Sequence, residues 1–332
     1  MHPELSAVSA GRLGVFTSQE ALRVGYRVED IRAELRSRRW SRLRKGVYVG
    51  TDRLLTADAR GRHLMHGVAV LLSLGAGPVL SHASAAWLHE LILPRGQSSE
   101  VRLTAVDHWR RGRGYRVAQA GISADDTEPW LEFVATSVAR TLVDCAREWS
   151  LTDGVVAIDA ALNQKKVARA ELLRAVLGGT HRPGIAQAAR ALSLSDGRAD
   201  SPLETRGRLA MLAAGLPRPE LQVEIHDAAG FLGRVDAWYE DAALAIEFDG
   251  QVKYTDPRHA SSPGRVLWDE KRREDAMRGL GVRFVRVVNE DLGPPWQGTA
   301  GRIRGLLAAP YVGPRRFRAI RTEEPGRAFD AA

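Results

Sequence analysis

The chain has 332 residues, 44% of them hydrophobic and 27% charged, which allows two or three domains with real cores. Its net charge of +8 favours a polyanionic partner, most simply nucleic acid. A single cysteine, Cys145, excludes an internal disulfide and a cysteine metal cluster. The longest apolar stretch, 67–80, is interrupted by Gly75 and Gly77 and is too short to span a membrane. Residues 1–9 lack the charged start and apolar core of a signal peptide, so a cytoplasmic protein with no membrane partner is expected.

The first segment, residues 1–60, predicts two short helices and a ribbon. Thr17-Ser18-Gln19-Glu20 is a capping-box start for a helix ending near Gly25. A second helix is expected over 28–38, and LRKGVYV at 43–49 reads as a strand beside a turn at Lys45-Gly46. Helices followed by a ribbon suggest a winged helix-turn-helix. Arg32, Arg36, Arg39, Arg42, Arg44 and Lys45 cluster on the second helix and the ribbon, the elements that meet groove and backbone in that fold.

Residues 61–194 predict a mixed, mostly helical connector. Helices are expected over 65–74, 81–91, 136–149, 153–163 and 169–176, and strands over 100–106 and 115–119. Ser81, His82 and Ser84 have no acid nearby in sequence, and a helix cap with a packed histidine is expected there. Residues 193–199 (SLSDGRA) read as a polar linker. After Leu307, residues 308–332 read as a basic, disordered tail.

The chemistry is expected between these last two segments. Ser201-Pro202-Leu203-Glu204 is a helix start, with Ser201 as N-cap and Pro202 in the first turn. Asp236 lies on a run over 233–239, and Glu240-Asp241 reads as a tight turn. In 243–249 the large residues Leu244, Ile246 and Phe248 alternate with Ala243, Ala245, Glu247 and Asp249. This predicts a strand with one buried face and both acids on the other. A hairpin would then bring Asp236 beside Glu247. Clustered carboxylates repel unless a cation sits between them, and oxygen-only ligands suit Mg²⁺ or Mn²⁺. Lys253 follows Gly250 closely, and Lys271 sits on a further helix expected over 268–279, ahead of a strand over 282–288.

Five pieces in this order carry a resemblance: Ser201-Pro202-Leu203-Glu204-Thr205, Ala214-Gly215-Leu216-Pro217, Arg234-Val235-Asp236, Glu247-Phe248-Asp249-Gly250 and GVRFVRV at 281–287. Residues 198–295 resemble the PD-(D/E)XK nuclease superfamily, and more narrowly its very-short-patch-repair-like (Vsr-like) endonuclease domains. The resemblance implies a restriction-endonuclease-like αβββαβ domain that cleaves DNA with Mg²⁺ or Mn²⁺. Asp236, Glu247 and Glu204 would then hold the metal, and Asp249 and Lys253 would act beside them. The family motif has lysine two residues after the second acid, where this chain has Asp249; Lys253, or Lys271, would take that role. At the other end, Gly14-Val15-Phe16-Thr17, Trp40 and Arg44-Lys45-Gly46-Val47-Tyr48 resemble the N-terminal domain of AbiEi-type antitoxins of type IV toxin–antitoxin systems. That resemblance implies DNA binding and leaves any toxin partner open. The expected chain is therefore α/β (α+β): a DNA-binding protein with a Mg-dependent endonuclease-like domain, or a non-catalytic regulator or antitoxin built on a degenerate nuclease fold.

Overall fold

The computed structural model describes residues 2–250 and 263–322, the side chains of 263–270 excepted. Lys253 and residues 323–332 lie outside the described residues. The chain is mixed α/β and divides into two compact units. One comprises 1–157 with 167–193, and the other 158–166 with 194–332.

In the first unit, α1 (Pro3–Ala10), β1 (Val15–Thr17), α2 (Ser18–Arg23), α3 (Val28–Arg36), β2 (Trp40–Arg44) and β3 (Val47–Gly50) come first. Thr17 caps α2 in a reciprocal box with Glu20, as the sequence predicts. The ribbon is a β2–β3 hairpin closed by β1, in the order β1-β3-β2. Its core is aromatic: Phe16 meets Trp40 edge to face with centroids 4.6 Å apart.

Next come α4 (Thr51–Thr56), α5 (Ala59–Leu74), β4 (Val79–Leu80), α6 (His82–Leu88), β5 (Val101–Ala105), β6 (Arg110–Gly112), β7 (Tyr115–Gln119), β8 (Thr127–Trp130) and β9 (Phe133–Thr136). The helices α7 (Val138–Glu148), α8 (Leu151–Asn163), α9 (Arg169–Gly178) and α10 (Ile185–Leu194) follow, the part of α8 from Ile158 onward belonging to the second unit. The six strands form one sheet, β6-β7-β5-β4-β9-β8. The connector thus carries more strand than its helical periodicity suggests. Strands such as β4, two residues long, are too short to show alternation.

The second unit holds α11 (Pro202–Ala213), β10 (Glu220–Asp227), β11 (Gly230–Tyr239), β12 (Leu244–Asp249), α12 (Pro263–Gly279), β13 (Arg283–Val288), α13 (Trp296–Leu307) and β14 (Arg318–Ile320). Its sheet runs β13-β12-β11-β10-β14. The strands β10, β11 and β12 are antiparallel neighbours, whereas β12 and β13 are parallel. A parallel pair needs a crossover, and α12 supplies it. This is the αβββαβ element order expected for 198–295. The helix α12 starts at Pro263, earlier than 268, so Lys271 sits in its interior.

Three expectations are corrected here. The strand β12 is buried on both faces, not one. Leu244, Ile246 and Phe248 pack with Leu203, Met211 and Ile303, while Ala243 and Ala245 pack with Met277 and Phe284. The alternation in its sequence is large against small, as suits an interior strand covered by helices on both sides. Second, the polar linker is interior. Ser195 and Asp196 are buried, and Asp196 binds Arg198 at 2.8 Å and Arg218 at 3.3 Å. Third, residues 308–322 are ordered structure. The strand β14 pairs with β10, and Phe317 is buried edge to face against Trp238. Its basic residues do not bar this, because Arg315 binds Glu240 and Arg321 lies 3.5 Å from Glu220.

Gly207 shows how tightly α11 sits on the sheet. A Cβ there would come within 2.0 Å of the Phe248 ring. Gly207→Ala is therefore expected to destabilise the second unit by about 1–3 kcal/mol from overpacking, although Ala normally favours a helix. Chemical denaturation measures this; a gain in stability would mean that Phe248 steps aside without strain.

Candidate carboxylate site and basic surface

The site starts at the beginning of α11. Ser201 accepts the Glu204 N–H at 3.2 Å and Pro202 occupies the first turn, so the helix begins where the sequence predicts. This start carries Glu204 inward; the residue is only 6% exposed. Its Oε2 accepts the Asp200 N–H at 2.8 Å and the Gln222 side-chain amide at 2.9 Å. Burial first, and the negative charge of Asp236 second, push the Glu204 carboxyl up to about 7.

The β11–β12 hairpin supplies the other acids. Its ladder pairs Ala237 with Ile246, and one step beyond come Asp236 and Glu247. The Phe248 N–H donates to Asp236 Oδ2 at 2.7 Å, tying the two strands where the ladder ends. Glu247 is buried and Asp236 half-buried. The ladder register sets Asp236 across from Glu247, and Asp236 lies near enough for its charge to act on Glu204. Asp249 is engaged differently: Arg286 of β13 binds it at 2.9 Å and also holds Glu274 of α12 at 2.5 Å. Lys271, exposed, lies three residues before Glu274 on the same helical face.

Two participants escape sequence reading. Gln222 stands between apolar Leu221 and Val223, where a strand pattern turns it outward. In the structure it has φ +53° and is buried against Glu204. Arg286 sits in VRFVRVV as an ordinary strand-surface residue, and only the parallel pairing of β12 with β13 sets it opposite Glu247 and beside Asp249.

Hard oxygen donors at a buried, mutually repelling pair are the chemistry a divalent cation relieves. Among the described residues, no group of three or more His, Cys, Asp or Glu is placed to hold a metal ion. Mg²⁺ needs only one or two carboxylates from a protein, water or substrate phosphate filling the rest of its shell.

Ser81, His82 and Ser84 form a sealed network in the first unit. Ser81 Oγ lies 2.8 Å from His82 Nδ1, and His82 Nε2 is 3.6 Å from Glu148. The structure thus supplies an acid that the sequence separates by 66 residues, and Arg102 grips it twice, at 2.6 and 2.8 Å. Burial pushes His82 down to about 4, and Ser81 is fully buried. The cluster stitches α6, β5 and α7 together and offers no substrate access. Cys145 is buried as well, and burial pushes its thiol up.

Of the six basic residues expected to meet nucleic acid, Arg36, Arg42 and Lys45 are exposed on α3, on β2 and in the hairpin turn. Arg39 binds Glu34 at 2.7 Å and Arg32 lies 3.9 Å from Glu29. Arg44 stacks on the Tyr115 ring at 4.7 Å.

The chain is 37% identical over 159 residues to uncharacterised proteins from two strains of Mycobacterium tuberculosis. Those matches cover 48% of this chain, which spans 56% of each relative. No family model matches the chain. Among the described residues, no helix is long and apolar enough to cross a membrane.

Proposed function

We propose that this is a nucleic-acid-binding protein, its partner DNA, whose second unit hydrolyses phosphodiester bonds as a metal-dependent endonuclease. The observation that carries this reading is the Glu204 carboxyl, buried at a helix start, raised to about 7 and facing Asp236 at the end of the β11–β12 hairpin. Burying two mutually repelling carboxylates weakens a fold, and such sites are retained where a charged ligand is to be met. Mg²⁺ or Mn²⁺ held by one or two of Asp236, Glu247 and Glu204, with water or substrate phosphate completing its shell, would supply Lewis acidity for the attacking water and the phosphate.

The chain's own residues set up that role. Gln222 and the Asp200 N–H fix one Glu204 oxygen and leave the other for a ligand. The Phe248 N–H orients Asp236. Arg286 holds Asp249 in place at the strand end. The first 60 residues read as a winged helix that delivers the protein to DNA.

A second reading rests on Asp249. It occupies the family's lysine position, and Arg286 binds it. A non-catalytic transcriptional regulator or antitoxin on a degenerate nuclease fold would look the same there. Cleavage assays with Mg²⁺ decide between the two.

DNA binding has its own test. Changing Arg32, Arg36, Arg39 and Lys45 together to Ala is expected to weaken binding and flatten its salt dependence, each phosphate contact contributing about 0.9 to the slope. Arg32 and Arg39 are shared with Glu29 and Glu34, so a loss of about two in slope is expected. Titrations over a range of salt measure it; an unchanged slope would make the cluster a solvated face.

A further inference from the structure

The hairpin β6–β7 carries a feature that the basic N-terminal segment does not explain. Trp109, just before β6, is 71% exposed, and Val106 is 62% exposed. Arg110, Arg111 and Arg113 follow immediately, all exposed. A large aromatic ring is costly to leave in water, and here one exposed indole is followed by three exposed arginines within five positions.

The placement is built. The strand β6 lies at the edge of the six-stranded sheet and pairs with β7 through Arg110–Val117, Arg111–Arg116 and Gly112–Tyr115. Gly112 is required there, since a Cβ would come within 2.2 Å of the Tyr115 ring. The hairpin turn, Arg113-Gly114, abuts the β2–β3 hairpin. Arg44 donates to the Arg113 carbonyl at 3.0 Å while its guanidinium covers Tyr115. Arg44 thus ties the β2–β3 hairpin to the turn that carries Arg113, and Arg110 and Arg111 continue the run of positive charge along the edge strand back to Trp109.

The nearby acids do not cancel it. Glu100 is shared between Arg111 at 4.0 Å and Arg116 at 3.9 Å. Asp107 bonds His108 at 2.7 Å. Three exposed arginines beside one exposed indole suit a ligand that alternates phosphates with π-faces.

We propose that Trp109 is a stacking platform for an unpaired base, and that Arg110, Arg111 and Arg113 track the backbone of a single-stranded segment of nucleic acid. The inference rests on the nucleic-acid reading above and adds to it a second contact, selective for unpaired strand.

The test uses the full chain with a fluorescein-labelled single-stranded oligonucleotide and its duplex, followed by anisotropy over a range of salt. Trp109→Ala is expected to weaken single-strand binding about tenfold with an unchanged salt slope, and to leave duplex binding nearly intact. Trp109→Phe, which keeps a π-face, should retain most of the affinity. Arg110→Ala, Arg111→Ala and Arg113→Ala combined should lower the single-strand slope by about two, at roughly 0.7 per phosphate. Equal single-strand affinity in Trp109→Ala and wild type would overturn the stacking role. Equal losses on single strand and duplex, or no rescue by Phe, would overturn it as well. Competition by polyglutamate as effective as that by oligonucleotide would mean a generic acid-binding surface. If the wild type binds duplex and the variants behave as wild type, only this inference falls. If the wild type binds neither, the proposed function falls with it.

Discussion

Asp236→Ala and Glu247→Ala are expected to lower metal-dependent DNA cleavage by about 10²–10³-fold each, as when transition-state charge loses a fixed partner. The two acids stand one step beyond the last ladder pair of the β11–β12 hairpin, and Asp236 also accepts the Phe248 N–H. Removing Asp236 therefore risks loosening the strand end. Asp236→Asn separates the two effects, because its amide oxygen can still accept that N–H while the charge is lost. A chemical role predicts that Asn is nearly as inactive as Ala while melting like wild type. Activity in either variant, or in excess EDTA, would sink the site assignment. A wild type inert on duplex, nicked, mismatched and single-stranded DNA alike would favour the regulator, with Asp249 and Arg286 as the mark of lost chemistry.

Much of this site can be read from sequence because its signals are local. A cap, a proline and a glutamate within four residues announce the start of α11. A tight turn between two apolar runs announces the hairpin that sets Asp236 beside Glu247. What stays hidden depends on contacts distant along the chain. Gln222 becomes interior through a positive φ that no neighbour demands. Arg286 reaches Asp249 only through a parallel pairing made across α12. Phe317 and β14 close the far edge of the sheet from a segment whose composition reads as a tail. In β12 the period of two is correct, but its meaning depends on how many layers cover the sheet. Alternation of large and small residues on a doubly covered strand looks the same as alternation of inside and outside.

Glu204→Gln is expected to stabilise the second unit at pH 8 and to leave it nearly unchanged at pH 5. Folding raises this carboxyl from 4.5 to about 7. Between those values the folded state keeps a proton that the unfolded chain has released, so stability falls as pH rises through the window. Above about pH 7 both states are ionised and the whole penalty stands. At 1.36 kcal/mol per unit, it is on the order of 3 kcal/mol. Glutamine has the shape of the protonated acid, and its carbonyl can keep the bonds from Asp200 and Gln222. It should therefore match wild type at pH 5 and melt higher at pH 8. Asp159, raised to about 6 by burial, tilts both proteins in the same direction and cancels in the difference. Denaturation of the pair at the two pH values measures the effect, and an equal gain at both would show that Glu204 does not titrate as proposed. Adding Mg²⁺ at pH 8 then separates the two functional readings. A cation that binds between Glu204 and Asp236 offsets their repulsion, so it raises the wild-type midpoint by mass action and the Gln variant much less. A regulator that has lost its metal would show the gain from glutamine and no response to Mg²⁺ in either protein.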